Sequence, residues 1–148
     1  MSRLAEEALR AISKDVLQIF QNEYLEKEVY GSHGENKQYI RTNQFFEAWE
    51  FSEIKKQLNS LSTELWYNPS NMSFNPDTYT HGSKYSSPPD VRDNLMRILD
   101  KAGYSSSLWL SVSRPVAYWQ SFIQDMFSGG QLEKIVTKHF RAKGFTRI

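Results

Sequence analysis

The first part of the chain carries a helical pattern of apolar positions. The apolar residues repeat mostly at steps of three and four, at Leu4, Ala8, Ile12, Val16, Ile19, Phe20 and Tyr24. This spacing predicts one long amphipathic helix from Leu4 to about Glu28. Ser2 stands where an N-cap residue is favoured, and the acidic Glu6 and Glu7 suit the positive end of the helix dipole. The glycines and small polar residues of segment 31–36 predict that a loop ends the helix.

A period of two follows in the middle of the chain. Residues Leu61, Thr63, Leu65 and Tyr67 alternate with Ser62, Glu64 and Trp66. This alternation predicts a half-buried strand, with segment 48–54 as its antiparallel partner. Segment 44–58 also carries closely spaced aromatic residues that fit either a helical turn or a strand. Segment 68–89 is rich in proline, asparagine and serine, which predicts a long irregular loop.

The last third of the chain carries helix signals separated by breakers. Asp90 reads as the N-cap of a helix that ends at Gly103, and segment 108–112 alternates like a short strand. Pro115 is predicted to start a helix that breaks at 129–130. Its apolar face is expected to contain Val116, Trp119, Phe122, Ile123 and Met126. A last helix is predicted from Leu132 to Gly144.

Composition narrows the class of protein. A length of 148 residues fits a single domain spanning 1–148, and 14% of the residues are aromatic, which favours rings in the core or at an interface. The chain has no cysteine, so disulfides and thiolate metal sites are excluded. No apolar run approaches the roughly 20 residues of a membrane span, which predicts a soluble protein with no membrane partner.

The net charge is only +1, but acids gather near the start of the chain and bases near its end. These ends could meet within one molecule or between neighbouring copies. We predict a contact between subunits that uses three residues from each end: Glu23, Glu26, Glu28, and Lys134, Lys138, Arg141. The three bases recur at helical spacing, so a nucleic-acid-binding surface and a plain solvated face are the alternatives for them.

Candidate catalytic chemistry is sparse. His33, His81 and His139 have no metal-ligand spacing or adjacent acid, so each is expected to be a surface or turn histidine. The glycines do not form a phosphate-binding loop, and no serine stands in a nucleophile elbow. The acid pairs 90/93 and 47/50 have simpler roles at a helix start and on a solvated face. We therefore predict no catalytic, cofactor or metal site.

One stretch resembles a known family. Segment 39–49, Tyr-Ile-Arg-Thr-Asn-Gln-Phe-Phe-Glu-Ala-Trp, resembles the passage that follows the long N-terminal helix in tail-completion and minor tail proteins of long-tailed bacteriophages. Segment 64–72 resembles the strand and turn that come next in that family, and 79–82 resembles the loop after it. Segment 91–144 resembles the helical C-terminal part.

The resemblance implies an α+β fold in which a long N-terminal helix packs on a small antiparallel sheet, with helices at the C-terminus. It also implies a structural virion protein of the phage neck or tail top, made in the host cytoplasm, that acts by binding and not by catalysis. Its partners would be further copies of itself in a ring and the neighbouring portal, connector and tail proteins. Non-specific contact between the ring and DNA in its lumen is a further expectation.

Two groups of residues in this stretch have predicted roles. Arg41 is expected to pair with a carboxylate or with carbonyls near the end of the N-terminal helix, and Thr42 to cap a local turn. Phe45, Phe46 and Trp49 are expected to form part of the core or of a subunit interface, because they are too closely spaced to serve one short element alone.

Overall fold

The computed structural model describes residues 2–30, 44–71 and 117–146. Helix α1 spans Arg3–Ile19, and the Ser2 hydroxyl caps it by accepting a hydrogen bond from the Ala5 amide at 3.3 Å. The predicted stripe is buried along most of this helix. Leu4 was expected in the stripe but is 47% exposed, because the buried face begins at Ala5.

The second half of the predicted N-terminal helix is a π-helix, Phe20–Tyr30, and not a continuation of the α-helix. A π-helix closes its hydrogen bonds five residues apart. Phe20 and Leu25, five positions apart, are both fully buried, and Tyr24 is buried beside them. The change of helical period places Leu25 in the core beside Phe20, which the period of an α-helix would not do. The sequence pattern therefore did not predict that Leu25 is buried.

A short helix and a hairpin follow. Helix α2 spans Gln44–Glu47, and strands β1, β2, β3 and β4 span Trp49–Phe51, Lys55–Lys56, Leu61–Ser62 and Leu65–Tyr67. Strand β1 pairs with β4 and β2 pairs with β3, all antiparallel. The alternating burial predicted for 61–67 and the pairing of its second half with 48–54 are confirmed. The predicted single strand is divided into β3 and β4, and β3 pairs with Lys55–Lys56, beyond the predicted partner. A 3₁₀ turn, Pro69–Asn71, follows β4.

The register of the hairpin shifts by one residue between its two halves. Phe51 pairs with Leu65 in the β1–β4 half, whereas Lys55 pairs with Ser62 in the β2–β3 half. The first strand therefore has one more residue than the second between these pairs, which is a β-bulge. We call the β1–β4 half the hairpin base and the β2–β3 half the distal arm.

Ser52 organises the bulge. Its hydroxyl oxygen accepts a hydrogen bond from the Glu64 amide at 3.0 Å, and its carbonyl accepts one from the Thr63 hydroxyl at 2.7 Å. The Ser52 amide donates in turn to the Glu64 carbonyl at 2.9 Å. Backbone groups that the ladder would leave unpaired at the bulge are thereby satisfied.

Two helices complete the described fold. Helix α3 spans Tyr118–Phe127 and α4 spans Gln131–Ala142. Helix α3 begins three residues after the predicted start because Ala117, with ψ of 46°, is not helical. The predicted break lies between the helices, where Gly130 adopts a left-handed φ of 70°.

The end of α4 is a Schellman motif. The Phe145 amide donates to the Phe140 carbonyl at 3.1 Å, and the Gly144 amide donates to the Arg141 carbonyl at 2.9 Å. Gly144 has the positive φ, 86°, that this motif requires. The rings of Phe140 and Phe145 meet edge to face with centroids 5.2 Å apart. The predicted stop at Gly144 is confirmed.

Aromatic rings form the centre of the core. Phe20 contacts Trp49 and Phe122, with centroids 4.7 Å away in each case. Trp49 also stacks on Trp119 at 5.3 Å. Other buried members are Ile12, Val16, Tyr24, Leu25, Phe45, Ala48, Tyr118 and Met126. These contacts join α1, the π-helix, the hairpin base and α3 around one core.

The arrangement is an α+β fold of a long N-terminal helix, a small antiparallel sheet and C-terminal helices, as expected. Most of the predicted 68–89 loop, the helix at 90–103 and the strand at 108–112 lie outside the described residues. Within the described ranges, no helix has the length and apolar character to cross a membrane.

Candidate interaction surfaces

The acidic and basic ends of the chain meet within one molecule, where α4 packs along α1. Asp15 Oδ2 lies 2.7 Å from His139 Nε2 and 3.1 Å from Lys138 Nζ. Closer to the start of α1, Lys143 Nζ donates to Glu7 Oε2 at 2.9 Å. The charge split seen in the sequence is therefore partly satisfied inside the subunit, through residues other than the predicted acids.

These contacts shift the acidity of the α1 carboxyls. The hydrogen bond with His139 holds the pKa of Asp15 below its ordinary value of 3.8, and Lys138 acts in the same direction. The hydrogen bond from Lys143, followed by the one from Arg3, lowers the pKa of Glu7. Both carboxyls are therefore ionised near neutral pH.

The expectation of a surface histidine at position 139 was wrong. Its side chain is only 17% exposed, because α4 turns it toward Asp15 on α1. The partner lies 124 residues away in sequence, so no local pattern could have revealed it. Two charged or polar residues around one carboxylate do not make a metal site, and no cluster of three potential metal ligands occurs in the described parts of the chain.

A second ion-pair group ties the distal arm of the hairpin to α1. Lys56 Nζ lies 2.6 Å from Glu6 Oε2, and Arg10 Nη2 lies 2.8 Å from Glu6 Oε1. The hydrogen bonds with Lys56 and then Arg10 lower the pKa of Glu6. These side chains line a shallow charged depression beside the first turns of α1.

The outer side of the hairpin base presents an exposed ring between carboxylates. Trp66 is 43% exposed and is paired with Glu50 across the strands, and the exposed Glu64 lies two positions before Trp66, just ahead of β4. The amides of Asn68 and Asn71 donate to the two Glu50 oxygens at 2.9 and 3.3 Å. We call Glu50, Glu64 and Trp66 the hairpin face.

The outer side of α4 is basic. Lys134, Lys138 and Arg141 are all exposed, and we call them the basic helix face. Lys138 is held by Asp15, whereas neither Lys134 nor Arg141 has an ion-pair partner among residues 2–30, 44–71 and 117–146. Phe127, at the corner that leads into α4, is 65% exposed.

The structure places the predicted aromatic residues in the core of the subunit. Phe45 and Trp49 are buried, with centroids 6.2 Å apart, and Phe46 is partly buried against them. The Phe46 carbonyl accepts a hydrogen bond from the Gln21 side chain at 3.2 Å. Of the two roles expected for these rings, core and subunit interface, the structure shows the core role for Phe45 and Trp49.

Glu23 and Lys138 line the same shallow depression beside Asp15, but no ion pair joins Glu23 to Lys134, Lys138 or Arg141 among the described residues. Glu23 pairs with Lys27 one helical turn away, and Glu26 is exposed. The side chain of Glu28, together with Arg41 and Thr42, lies outside the described residues. The predicted contact between copies through these acids stays a prediction.

Two important residues were missed by the sequence analysis. Tyr118 is fully buried and contacts Phe45 with centroids 6.0 Å apart, although it was not among the residues of the predicted apolar face of its helix. Asp125 accepts a 2.6 Å hydrogen bond from the Tyr24 hydroxyl. The spacing of Tyr118, Phe122 and Met126, four residues apart, was the available signal for the first.

Comparison of the chain with protein-family models, with characterised proteins and with solved structures gives no match.

Proposed function

We propose that this chain is a structural protein of the neck or tail top of a long-tailed bacteriophage, which completes the tail or joins it to the head. In this proposal it assembles as a ring, binds portal or connector proteins on one side and tail proteins on the other, and catalyses no reaction. It resides in the virion and is assembled in the host cytoplasm.

The observation that carries the proposal is the order of the elements. A long helix, a short aromatic segment, an antiparallel hairpin that ends at Asn68, and C-terminal helices occur in the order that the resemblance of segments 39–49 and 64–72 implies. The aromatic residues of these segments fix the hairpin on the N-terminal helix. This leaves polar and charged faces outside the core, as a subunit with several neighbours requires.

Electron microscopy of the purified full chain tests the proposal. We expect ring-shaped particles of uniform diameter with a central opening, and a matching single high mass in solution. A chain that remains monomeric over a wide range of protein concentration, including in the presence of isolated phage portal and tail assemblies, would contradict it.

The unpaired cations on α4 favour a second candidate, binding to nucleic acid. Lys134 and Arg141 are exposed and lack an ion-pair partner within the described part of the chain. Binding to DNA through these side chains would weaken with salt by a slope of about −0.9 per phosphate contact. Salt-dependent retention on duplex DNA that disappears in a Lys134→Gln, Arg141→Gln variant would support this function, and retention unchanged in that variant would oppose it.

A further inference from the structure

Within the described residues, no close ion pair neutralises the negative charge of the hairpin face. Glu50 is held by Asn68 and Asn71, whose amides are uncharged donors, so its charge remains. Glu64 has only a 3.4 Å contact with Lys55, and both side chains are more than 60% exposed. A contact of this length between exposed groups is weak and screened by salt.

Trp66 gives this acidic surface an apolar anchor. Tryptophan is enriched among the residues that dominate binding at protein interfaces, and its ring face attracts cations. Here the ring stands beside two carboxylates, which draw a cation to the same place. The chemistry of the hairpin face therefore favours a partner that presents Lys or Arg side chains together with some apolar surface.

The chain itself carries exposed cations on α4 and an exposed apolar ring at the corner before that helix. The basic helix face offers Lys134 and Arg141, and the exposed Phe127 lies at the corner seven residues before Lys134. No ion pair in the described ranges joins either of these cations to Glu50 or Glu64. The two surfaces therefore complement each other in charge but are not paired with each other inside one copy.

We propose that the hairpin face of one copy docks on the basic helix face of the next copy. The contact joins different surfaces of two identical chains, so it is head to tail and closes into a ring if the rotation between neighbours permits. This inference rests on the proposed ring function and names the surfaces that would form the ring.

The predicted contact through Glu23, Glu26 and Glu28 differs from this one in a physical respect. Glu23 already has Lys27 as a neighbour on its own helix, and exposed ion pairs without an apolar anchor contribute little to association. The hairpin face combines weakly compensated charge with an exposed ring. It is therefore the better candidate for the acidic side of the contact.

Sedimentation velocity on full-length variants over a concentration series tests the proposal. Trp66→Thr removes the anchor on the hairpin face, Glu64→Lys reverses its charge, and Lys134→Glu with Arg141→Glu reverses the other surface. We expect each of the three to weaken association by about tenfold or more, with melting curves that show a folded chain.

Mixing two defective variants gives the sharpest result. The Trp66→Thr chain keeps an intact basic helix face, and the Lys134→Glu, Arg141→Glu chain keeps an intact hairpin face. A head-to-tail contact predicts that the mixture forms a 1:1 complex that grows no further, although neither variant associates alone. Failure of the mixture to form this complex would overturn the head-to-tail assignment.

Matched controls exist for each change. Leu58→Thr replaces an apolar residue that is 90% exposed at the hairpin tip, Glu53→Lys reverses another exposed hairpin acid, and Lys14→Glu reverses an exposed base on α1. We expect all three to associate like the unmodified chain. An equal loss of association in these controls would show a general charge or solubility effect and overturn the specific surface.

The outcomes separate this inference from the proposed function. Rings that form normally in the hairpin-face and basic-face variants would refute the docking surface while the ring function stands. An unmodified chain that never associates would overturn both. Association that is unchanged by Lys134→Glu with Arg141→Glu, together with loss of DNA retention, would assign the basic helix face to nucleic acid instead.

Discussion

The Tyr24 hydroxyl donates a 2.6 Å hydrogen bond to Asp125 Oδ2, between residues 101 positions apart in sequence. The bond joins the π-helix to α3 at the edge of the aromatic core. Tyr24 is buried and its ring also meets Phe122 edge to face, with centroids 5.3 Å apart. The hydroxyl thus fixes the ring that the core surrounds.

We expect Tyr24→Phe to lower the free energy of unfolding by about 1–2 kcal/mol, because the ring is kept and only a charge-assisted hydrogen bond is lost. A double-mutant cycle with Asp125→Ala, measured by urea denaturation, isolates the coupling between the two side chains. A coupling free energy indistinguishable from zero would show that the bond does not stabilise the fold.

Trp49→Ala should lower the free energy of unfolding strongly. Trp49 is 2% exposed and contacts several rings, so the substitution leaves a large cavity and is expected to cost about 3–5 kcal/mol. Trp66→Ala is the matched control, since this ring is 43% exposed, and we expect a change below about 1 kcal/mol. Both are measured by denaturation at a concentration where the chain is monomeric, and similar costs at the two positions would contradict the assigned burial.

The two glycines at the α3–α4 corner should differ in how much a substitution by alanine destabilises the fold. A Cβ at Gly129 would lie 2.5 Å from the Asp125 carbonyl oxygen, whereas a Cβ at Gly130 would meet nothing within 4 Å and carries only the strain of φ 70°. We expect Gly130→Ala to cost about 1–2 kcal/mol and Gly129→Ala more, since backbone must move. Gly130→Asn should cost less than Gly130→Ala, because asparagine tolerates the left-handed region. Thermal melts that rank Gly130→Ala as the more harmful change would contradict this account.

Asp15 should contribute to the pH dependence of stability. Its pKa in the folded chain is lowered, first by His139 and then by Lys138, so its ionised form stabilises the fold above about pH 4. That contribution is lost as the pH falls through the lowered pKa. We expect Asp15→Asn to cost about 1 kcal/mol at neutral pH, since the side chain is 30% exposed, and the cost to shrink below about pH 4.

Urea titrations of Asp15→Asn and of the unmodified chain across this pH range measure the difference. Glu53→Gln serves as the control, because Glu53 is exposed and has no ion pair in the described ranges, and it should differ from the unmodified chain by less than about 0.5 kcal/mol at every pH. A cost of Asp15→Asn that stays constant down to pH 2 would show that the carboxylate charge is not the stabilising feature.

Local patterns predicted most of the described elements. The apolar stripe of the N-terminal helix, the alternation at 61–67, and the breakers at 129–130 and Gly144 each act through neighbouring residues, so they are visible in sequence. The change from α-helix to π-helix at Phe20 was not visible in the sequence, and the π-helix packs on α3 and contacts the hairpin base through the rings of Phe20 and Trp49. A period read from one segment does not contain that information.

The candidate surfaces were harder to predict than the fold. The helical spacing of Lys134, Lys138 and Arg141 correctly predicted that they are exposed on one helix. Their acidic neighbours could not be predicted, because they depend on how α4 lies against α1, which brings His139 to Asp15 and Lys143 to Glu7. The hairpin face was also missed. Trp66 and Glu50 become neighbours only through strand register, and the bulged segment 52–54, Ser-Glu-Ile, carries no glycine or other sequence signal for a bulge.

The β-bulge at Ser52 gives the two parts of the hairpin different responses to ionic strength. The base is anchored by buried rings, while the distal arm is tied to α1 by the ion pair of the exposed Lys56 with the partly buried Glu6. Screening lengths fall from about 10 Å at 0.1 M salt to about 3 Å at 1 M, which weakens that pair but not apolar burial. Added salt should therefore speed amide hydrogen exchange at 55–62 and leave exchange at 49–51 unchanged. One extra residue in a strand thus separates a salt-responsive arm from a base that salt does not loosen.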